Sequence, residues 1–110
     1  MSSMQEQVLV IQPFIRFGQH QAKTDTDKDL MLQESLALVK TLDWKIVDHL
    51  TVGLSSFQRK HLFGRGKIEM LRDRVAGDDK ITSIFISLYQ LSVTQRLELE
   101  KVFSVPVIDR

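Results

Sequence analysis

Six basic side chains crowd residues 59 to 74: Arg59, Lys60, Arg65, Lys67, Arg72 and Arg74, opposed only by Glu69 and Asp73. From Arg59 to Lys67 no acid interrupts them, and His61 and Phe63 are interleaved. Phosphates bind such concentrations of positive charge by releasing counterions, and an aromatic ring in reach can stack on an unpaired base. Within the cluster, Gly64-Arg65-Gly66-Lys67 places two residues without side chains at what reads as the start of a helix. Exposed amides at a helix N-terminus favour an anion, and Arg65 and Lys67 stand beside them. Arg65 can fork two hydrogen bonds onto phosphate oxygens, while Lys67 acts as a mobile point charge. The candidate RNA- or phosphate-binding residues are therefore Arg59, Lys60, Gly64, Arg65, Gly66 and Lys67. A plainer reading is a solvated loop and helix face that needs two flexible residues, with Phe63 plugging the core beneath it.

Other chemistries find no support in the residue types. A phosphate loop needs GxxxxGK[ST], and Gly64-Arg65-Gly66-Lys67-Ile68 lacks both that spacing and the magnesium-binding hydroxyl. It also fails GxGxxG, because Glu69 stands where the third glycine belongs. His20, His49 and His61 are isolated, without HxxxH or HExxH spacing, so no metal site is expected. Asp25, Asp27 and Asp29 lack the glycine and distant glutamate of a calcium loop and read as helix N-terminal charge. No GxSxG elbow is present, and neither Ile11-Gln12-Pro13 nor Ser87-Leu88-Tyr89 carries the acids of a phospho-receiver. With no cysteine, disulfides and thiolate chemistry are excluded. No catalytic residues and no cofactor are expected within these residues.

The elements that must position the basic loop follow from hydrophobic pattern. With 110 residues, 43% of them hydrophobic and 26% charged, the chain suffices for one core and not for two domains. A formal net charge of +1 excludes a histone-like tail or an acidic activation segment. No apolar run approaches the roughly 18 residues of a membrane helix, and Met1 to Gln7 lacks the pattern of a secretory signal. Val8-Leu9-Val10-Ile11 reads as a buried strand stopped by Pro13, and Asp27 to Leu42 as an amphipathic helix. Its buried stripe is Leu32, Leu36 and Val39, widened by Leu38 and Leu42. A second strand runs from Trp44 to Val52, and a short helix follows on Ile68, Leu71 and Val75.

Ile81 to Leu88 reads as a strand whose Ile84-Phe85-Ile86 is apolar on successive positions, hence central and parallel. Ser92-Val93-Thr94-Gln95 matches a capping box and opens a third helix that buries Leu99, Val102 and Phe103. Val105-Pro106-Val107-Ile108 is a last strand, with Pro106 suited to an edge. The prediction is an α/β fold, β-α-β-α-β-α-β, with a four-stranded mostly parallel sheet in the order 2-1-3-4 and helices on both faces.

Three segments carry a resemblance. Phe63-Gly64-Arg65-Gly66-Lys67-Ile68-Glu69-Met70-Leu71 resembles the F/I-G-K-G-K-x-E-x-L motif of the HflX family of ribosome-associated GTPases. Leu91 to Glu98 is similar to its L-S-P-x-Q-x-R-N-L-E segment, and Val105 to Arg110 to its closing V-x-V-I-D-R. Ala37-Leu38-Val39-Lys40-Thr41-Leu42-Asp43 looks like the animal mitochondrial branch. Arg65 replaces the usual Lys, Tyr89-Gln90 stands where bacterial members carry acids, and Ser92-Val93-Thr94 lacks the common Pro.

The resemblance implies that residues 1–110 are a single N-terminal α/β domain, with a helical hairpin and a GTPase domain downstream. It implies that GTP and magnesium are held there, so that the fragment itself is no enzyme. It further implies binding to the large ribosomal subunit and its rRNA, contact with the protein's own GTPase domain, and a part in subunit dissociation, recycling or assembly. Mitochondrial localisation follows from the resemblance alone; otherwise the chain would be cytoplasmic. Neither a membrane nor a disulfide partner is expected. The residues alone leave two alternatives open: a stand-alone small-ligand or nucleotide-binding domain using the crevice at the strand C-termini, and a structural domain that positions a GTPase.

Overall fold

Val8-Leu9-Val10-Ile11 is apolar on successive positions, so a strand built from it is hydrophobic on both faces and must be covered on both. In the computed structural model, which describes residues 5–15, 25–54, 60–87 and 91–109, all four side chains are fully buried. They belong to β1 (Gln7–Ile15), followed by α1 (Asp25–Thr41), β2 (Lys45–Leu54), α2 (Arg65–Ala76), β3 (Ser83–Ile86), α3 (Val93–Phe103) and β4 (Val107–Asp109). The four strands pair in parallel in the order β2-β1-β3-β4, as the alternating pattern predicted.

The two faces of β1 found two cores. Val8 and Val10 pack with Phe85 of β3 and Val39 of α1, flanked by Leu36, Trp44, Ile46 and Ile108. Leu9 and Ile11 join Ile84 and Ile86 of β3, Leu71 and Val75 of α2, and Leu99 and Phe103 of α3. Helices thus lie on both faces, one on the first and two on the second. Among the described residues, no helix is long and apolar enough to cross a membrane.

Four details depart from the sequence reading. β1 does not stop at Pro13 but continues to Ile15. The carbonyls of Gln7 and Ile11 accept from Thr82 and Ser87 on the β3 side, so Pro13, in the same phase, directs its nitrogen past the end of β3. No ladder bond is lost there, which is why a proline is tolerated in an otherwise central strand. Secondly, β2 holds a bulge: Val8 pairs with Ile46 but Leu9 with Asp48, leaving Val47 as the extra residue. Ile46 therefore faces α1, whereas Leu50, Val52 and Leu54 face α2 and α3 despite the same even numbering. Thirdly, Leu38 and Leu42 do not widen the buried stripe of α1 but remain 39% and 46% exposed. Among the described residues one helix alone covers that face, resting on β1 and β2, which leaves its flank exposed. Finally, Val102 of the expected α3 face is only half-buried, and Gln95 is buried beside Leu99 and Phe103.

The bulge also directs Asp48 to α2. There Arg74 donates to Asp48 Oδ2 at 3.0 Å and to Asp78 Oδ2 at 3.1 Å, latching the end of α2 to β2. Desolvation works against ionisation of Asp48, but the Arg74 hydrogen bond and the His49 amide outweigh it and hold its pKa below the ordinary carboxylate value. Asp78 is lowered likewise, first by the Lys80 amide and then by Arg74.

Two outcomes follow. Phe85 is 1% exposed, so Phe85→Ala should cost about 3–5 kcal/mol in urea unfolding; a near-neutral value would contradict its place at the junction of β3 with α1. Because both latch carboxylates ionise more readily folded than unfolded, their contribution is complete above about pH 4 and disappears as pH falls through the lowered folded values. Asp48→Asn should therefore reduce the difference between urea midpoints at pH 7 and pH 3. An unchanged difference would show that the latch takes no part in acid destabilisation.

Candidate nucleic-acid interface

The basic loop is pinned from below by two consecutive core side chains. Leu62 is fully buried and Phe63 is 2% exposed, both within the cluster under α2 and α3. Burying neighbours on one side bends the backbone sharply: Leu62 adopts φ 64, and the Phe63 amide donates to the His61 carbonyl across a γ-turn at 2.6 Å. A left-handed aliphatic residue is strained by roughly 1–3 kcal/mol and persists only where its surroundings hold it. The plainer reading of Phe63 is thus correct: it is a core plug, and its ring is not available to stack on a base.

Beyond the plug, Gly64 is the N-cap of α2, with φ −67 and ψ 164, and provides no side-chain cap. Its carbonyl accepts from the Ile68 amide at 2.9 Å, the first bond of the helix. Gly64 occupies an extended conformation open to any residue, and a Cβ at Gly64 or Gly66 would meet nothing within 4 Å. The chain itself therefore does not require glycine at Gly64, contrary to the expectation of a loop needing two flexible residues. What the two glycines leave is open space over the first turn. That turn holds no acid; it holds Arg65 and Lys67, cations at the end where the helix dipole favours anions.

Lys60, His61, Phe63, Arg65 and Ile68 line a cleft of about 470 Å³, cationic at the rim and apolar at the floor. Glu98 of α3 stands at its edge, with Oε1 3.7 Å from Lys60 Nζ and Oε2 3.5 Å from His61 Nε2. Lys101 Nζ lies 3.6 Å from the same carboxylate. Arg65 reaches Glu69 at 3.7 Å along its own helix, in a pair so exposed that it contributes little. Lys67 makes no ion pair among the described residues.

Of the six predicted site residues, the fold brings Lys60 and Arg65 to one cleft, with Gly64, Gly66 and Lys67 in the adjoining helix start. Arg59 lies outside the described residues. The wider cluster does not hold together. Arg72 pairs with Asp73 at 3.9 Å, and Arg74 belongs to the latch on β2. Glu98 was missed as a site residue, although it closes the Leu91–Glu98 segment; no spacing in the chain ties it to a loop some thirty-five residues earlier.

The alternative crevice, where β1 and β3 diverge at their C-terminal ends, is occupied by the protein's own polar groups. Ser35 of α1 donates within reach of Gln12 Oε1 at 2.7 Å and of the Met31 carbonyl at 3.0 Å, and its hydroxyl contacts that of Ser87. Gln12 Nε2 donates to the Pro13 carbonyl at 3.1 Å. All three polar side chains are buried, so this network satisfies itself and fastens α1 to the sheet. Tyr89 and Gln90 lie outside the described residues.

Residues 29–110 match the model of the GTP-binding GTPase N-terminal family. The chain is similar to a human protein provisionally named GTP-binding protein 6, 30% identical over 106 residues, and to its namesake from Xenopus laevis, 32% identical over 104. These alignments cover 96% and 94% of the chain but 20% of each relative. The chain spans about a fifth of the length of the curated relatives it matches.

Since neither sterics nor backbone conformation demands Gly64, Gly64→Asp should supply the missing cap. It should raise unfolding stability by about 0.5–1 kcal/mol through capping and the helix dipole. A lower urea midpoint would show instead that the fold itself requires glycine there.

Proposed function

The chain belongs to the GTP-binding GTPase N-terminal family, the HflX type that its three motifs resemble, and from that membership we propose that it is the RNA-facing module of a GTP-binding protein. In this reading it engages rRNA of the large ribosomal subunit, while GTP and magnesium are held by a GTPase domain elsewhere in the full protein. The full protein would act in subunit dissociation, recycling or assembly. The resemblance of the Ala37–Asp43 segment to the animal mitochondrial branch is what supports a place in mitochondria. The observation that carries the proposal is the first turn of α2: free of acid, uncapped, cationic through Arg65 and Lys67, and opening onto the Lys60–Arg65 cleft. Phosphate oxygens would take the amides and the guanidinium together. The self-satisfied network of Gln12, Ser35 and Ser87 weighs against a small-ligand site in the described part of the crevice.

Binding to large ribosomal subunits across a salt series tests the proposal. Each phosphate contact adds about 0.9 to the slope of log affinity against log salt, by analogy with B-DNA. Arg59→Ala, Arg65→Ala and Lys67→Ala together should flatten the slope by about two to three units while circular dichroism stays unchanged. Coincident slopes for folded wild type and triple variant would make the loop structural. Calorimetric titration with GTP and magnesium should give no saturable heat; micromolar binding would place a nucleotide in this domain and refute the division of labour.

A further inference from the structure

Two groups of ion pairs among the described residues differ in geometry. In the latch, Arg74 meets Asp48 and Asp78 at 3.0 and 3.1 Å, within hydrogen-bond distance. Around the cleft, Glu98 stands at 3.5 to 3.7 Å from His61, Lys60 and Lys101, too far for good hydrogen bonds to any of them. Glu98 is also the more enclosed partner: its side chain is 19% exposed, against 64% for Lys60 and 75% for Lys101. One carboxylate faces two lysines, so positive charge is left over. Loose, under-neutralised pairs cost little to exchange.

We propose that Glu98 is a built-in competitor for phosphate at this cleft: in the free protein it stands in for the anion opposite Lys60 and His61, and it weakens the affinity with which they take a phosphate group. This rests on the reading of the loop as a phosphate-binding surface and names the residue that tunes it. Polyanions of low charge density are rejected because they must share the lysines with a fixed carboxylate. A partner that also reaches Arg65, Lys67 and the α2 amides gains contacts that Glu98 does not contest. Glu98 thus converts a generally sticky loop into one that requires phosphate in a particular place.

Glu98→Gln tests this, because it keeps the shape and the hydrogen-bonding oxygen while removing the charge. Glu34→Gln, on the exposed side of α1 across the sheet, removes the same charge at a distance. The first probe is inorganic phosphate, followed by nuclear magnetic resonance at the Lys60 and His61 signals. Glu98→Gln should bind it about three- to tenfold more tightly at low salt, the effect of one unit charge about 4 Å from the anion where water screens the pair. Glu34→Gln should match wild type. The second probe is large ribosomal subunits, where Glu98→Gln should steepen the salt slope by about one unit as Lys60 becomes a full phosphate partner. If Glu98→Gln is folded and binds phosphate no more tightly than wild type or Glu34→Gln, the inference is overturned. It is equally overturned if phosphate moves neither the Lys60 nor the His61 signals in any variant. Tighter phosphate binding without subunit binding would uphold the role of Glu98 and overturn the ribosomal reading alone.

Discussion

Everything in this fold is arranged around a strand that is apolar on both faces. Val8 to Ile11 cannot meet water on either side, so the chain must place a layer above and a layer below them. Parallel neighbours are the simplest solution, because each crossover brings a helix back onto the sheet. The first crossover covers one face with α1, and the next two cover the other with α2 and α3. β2 then has to serve both layers, which it does through the bulge at Val47. Ile46 goes to α1, Leu50 and Val52 go to α2 and α3, and Asp48 is aimed at Arg74. The latch on α2, and with it the orientation of the basic loop at the start of α2, is therefore a consequence of burying β1 twice.

The three sequence motifs turn out to be one connected piece of structure. Asp109 Oδ2, in the closing V-I-D, accepts from the Leu91 amide at 3.2 Å and so fixes the beginning of the second motif. Ser92 and Gln95 then exchange hydrogen bonds at 3.0 and 3.1 Å and set the start of α3. One turn further on, Glu98 faces Lys60 and His61 beside the first motif. The Val107 amide donates to Glu100 at 2.9 Å, which fastens the other side of α3 to β4. Position thus passes from the sheet edge, through a capped helix, to the basic loop, with each step made by a polar atom of a motif residue.

Much of this was legible from residue types, and the exceptions share a cause. Strand order, parallel pairing, helices on both faces and the capping box follow from local pattern, because burial on two faces and a Ser-x-x-Gln cap leave local signatures. Pro13 inside β1 was not legible, because its tolerance depends on where β3 ends, a fact about another strand. The bulge at Val47 was hidden because both of its phases read as an ordinary alternating strand. Leu38 and Leu42 were placed in the core because the sequence cannot show how many helices share a face. In the site, Phe63 as a plug was among the readings open from the start, while the roles of Arg72 and Arg74 depend on carboxylates that only folding brings near. The part of the candidate site that the sequence could place locally, at the start of α2, rests on consecutive residues from Gly64 to Lys67.

Charge placement in α2 shows what separates a structural cation from an available one. Arg74 lies in the last turn, where the helix dipole favours it, and two carboxylates at hydrogen-bond distance hold it. Arg65 and Lys67 lie in the first turn, where the dipole opposes them; that turn holds no acid, its N-cap Gly64 has no side chain to offer, and only the exposed Glu69 pair offsets the cost at Arg65. A helix selected for stability alone would carry an acid there and a Ser or Asp in place of Gly64. The strained backbone at Leu62 adds to the same balance, since it raises the cost of presenting the loop in this position. These local penalties point the same way: the loop is less stable than the fold would permit. The dipole and capping penalties would be reduced by an anion seated over the turn, which would complete the dipole, neutralise the two cations and occupy the uncapped amides in one step. On the proposed reading, an anion from outside the chain finishes the basic end of α2, and the latch at its other end supplies the rigidity that holds it ready.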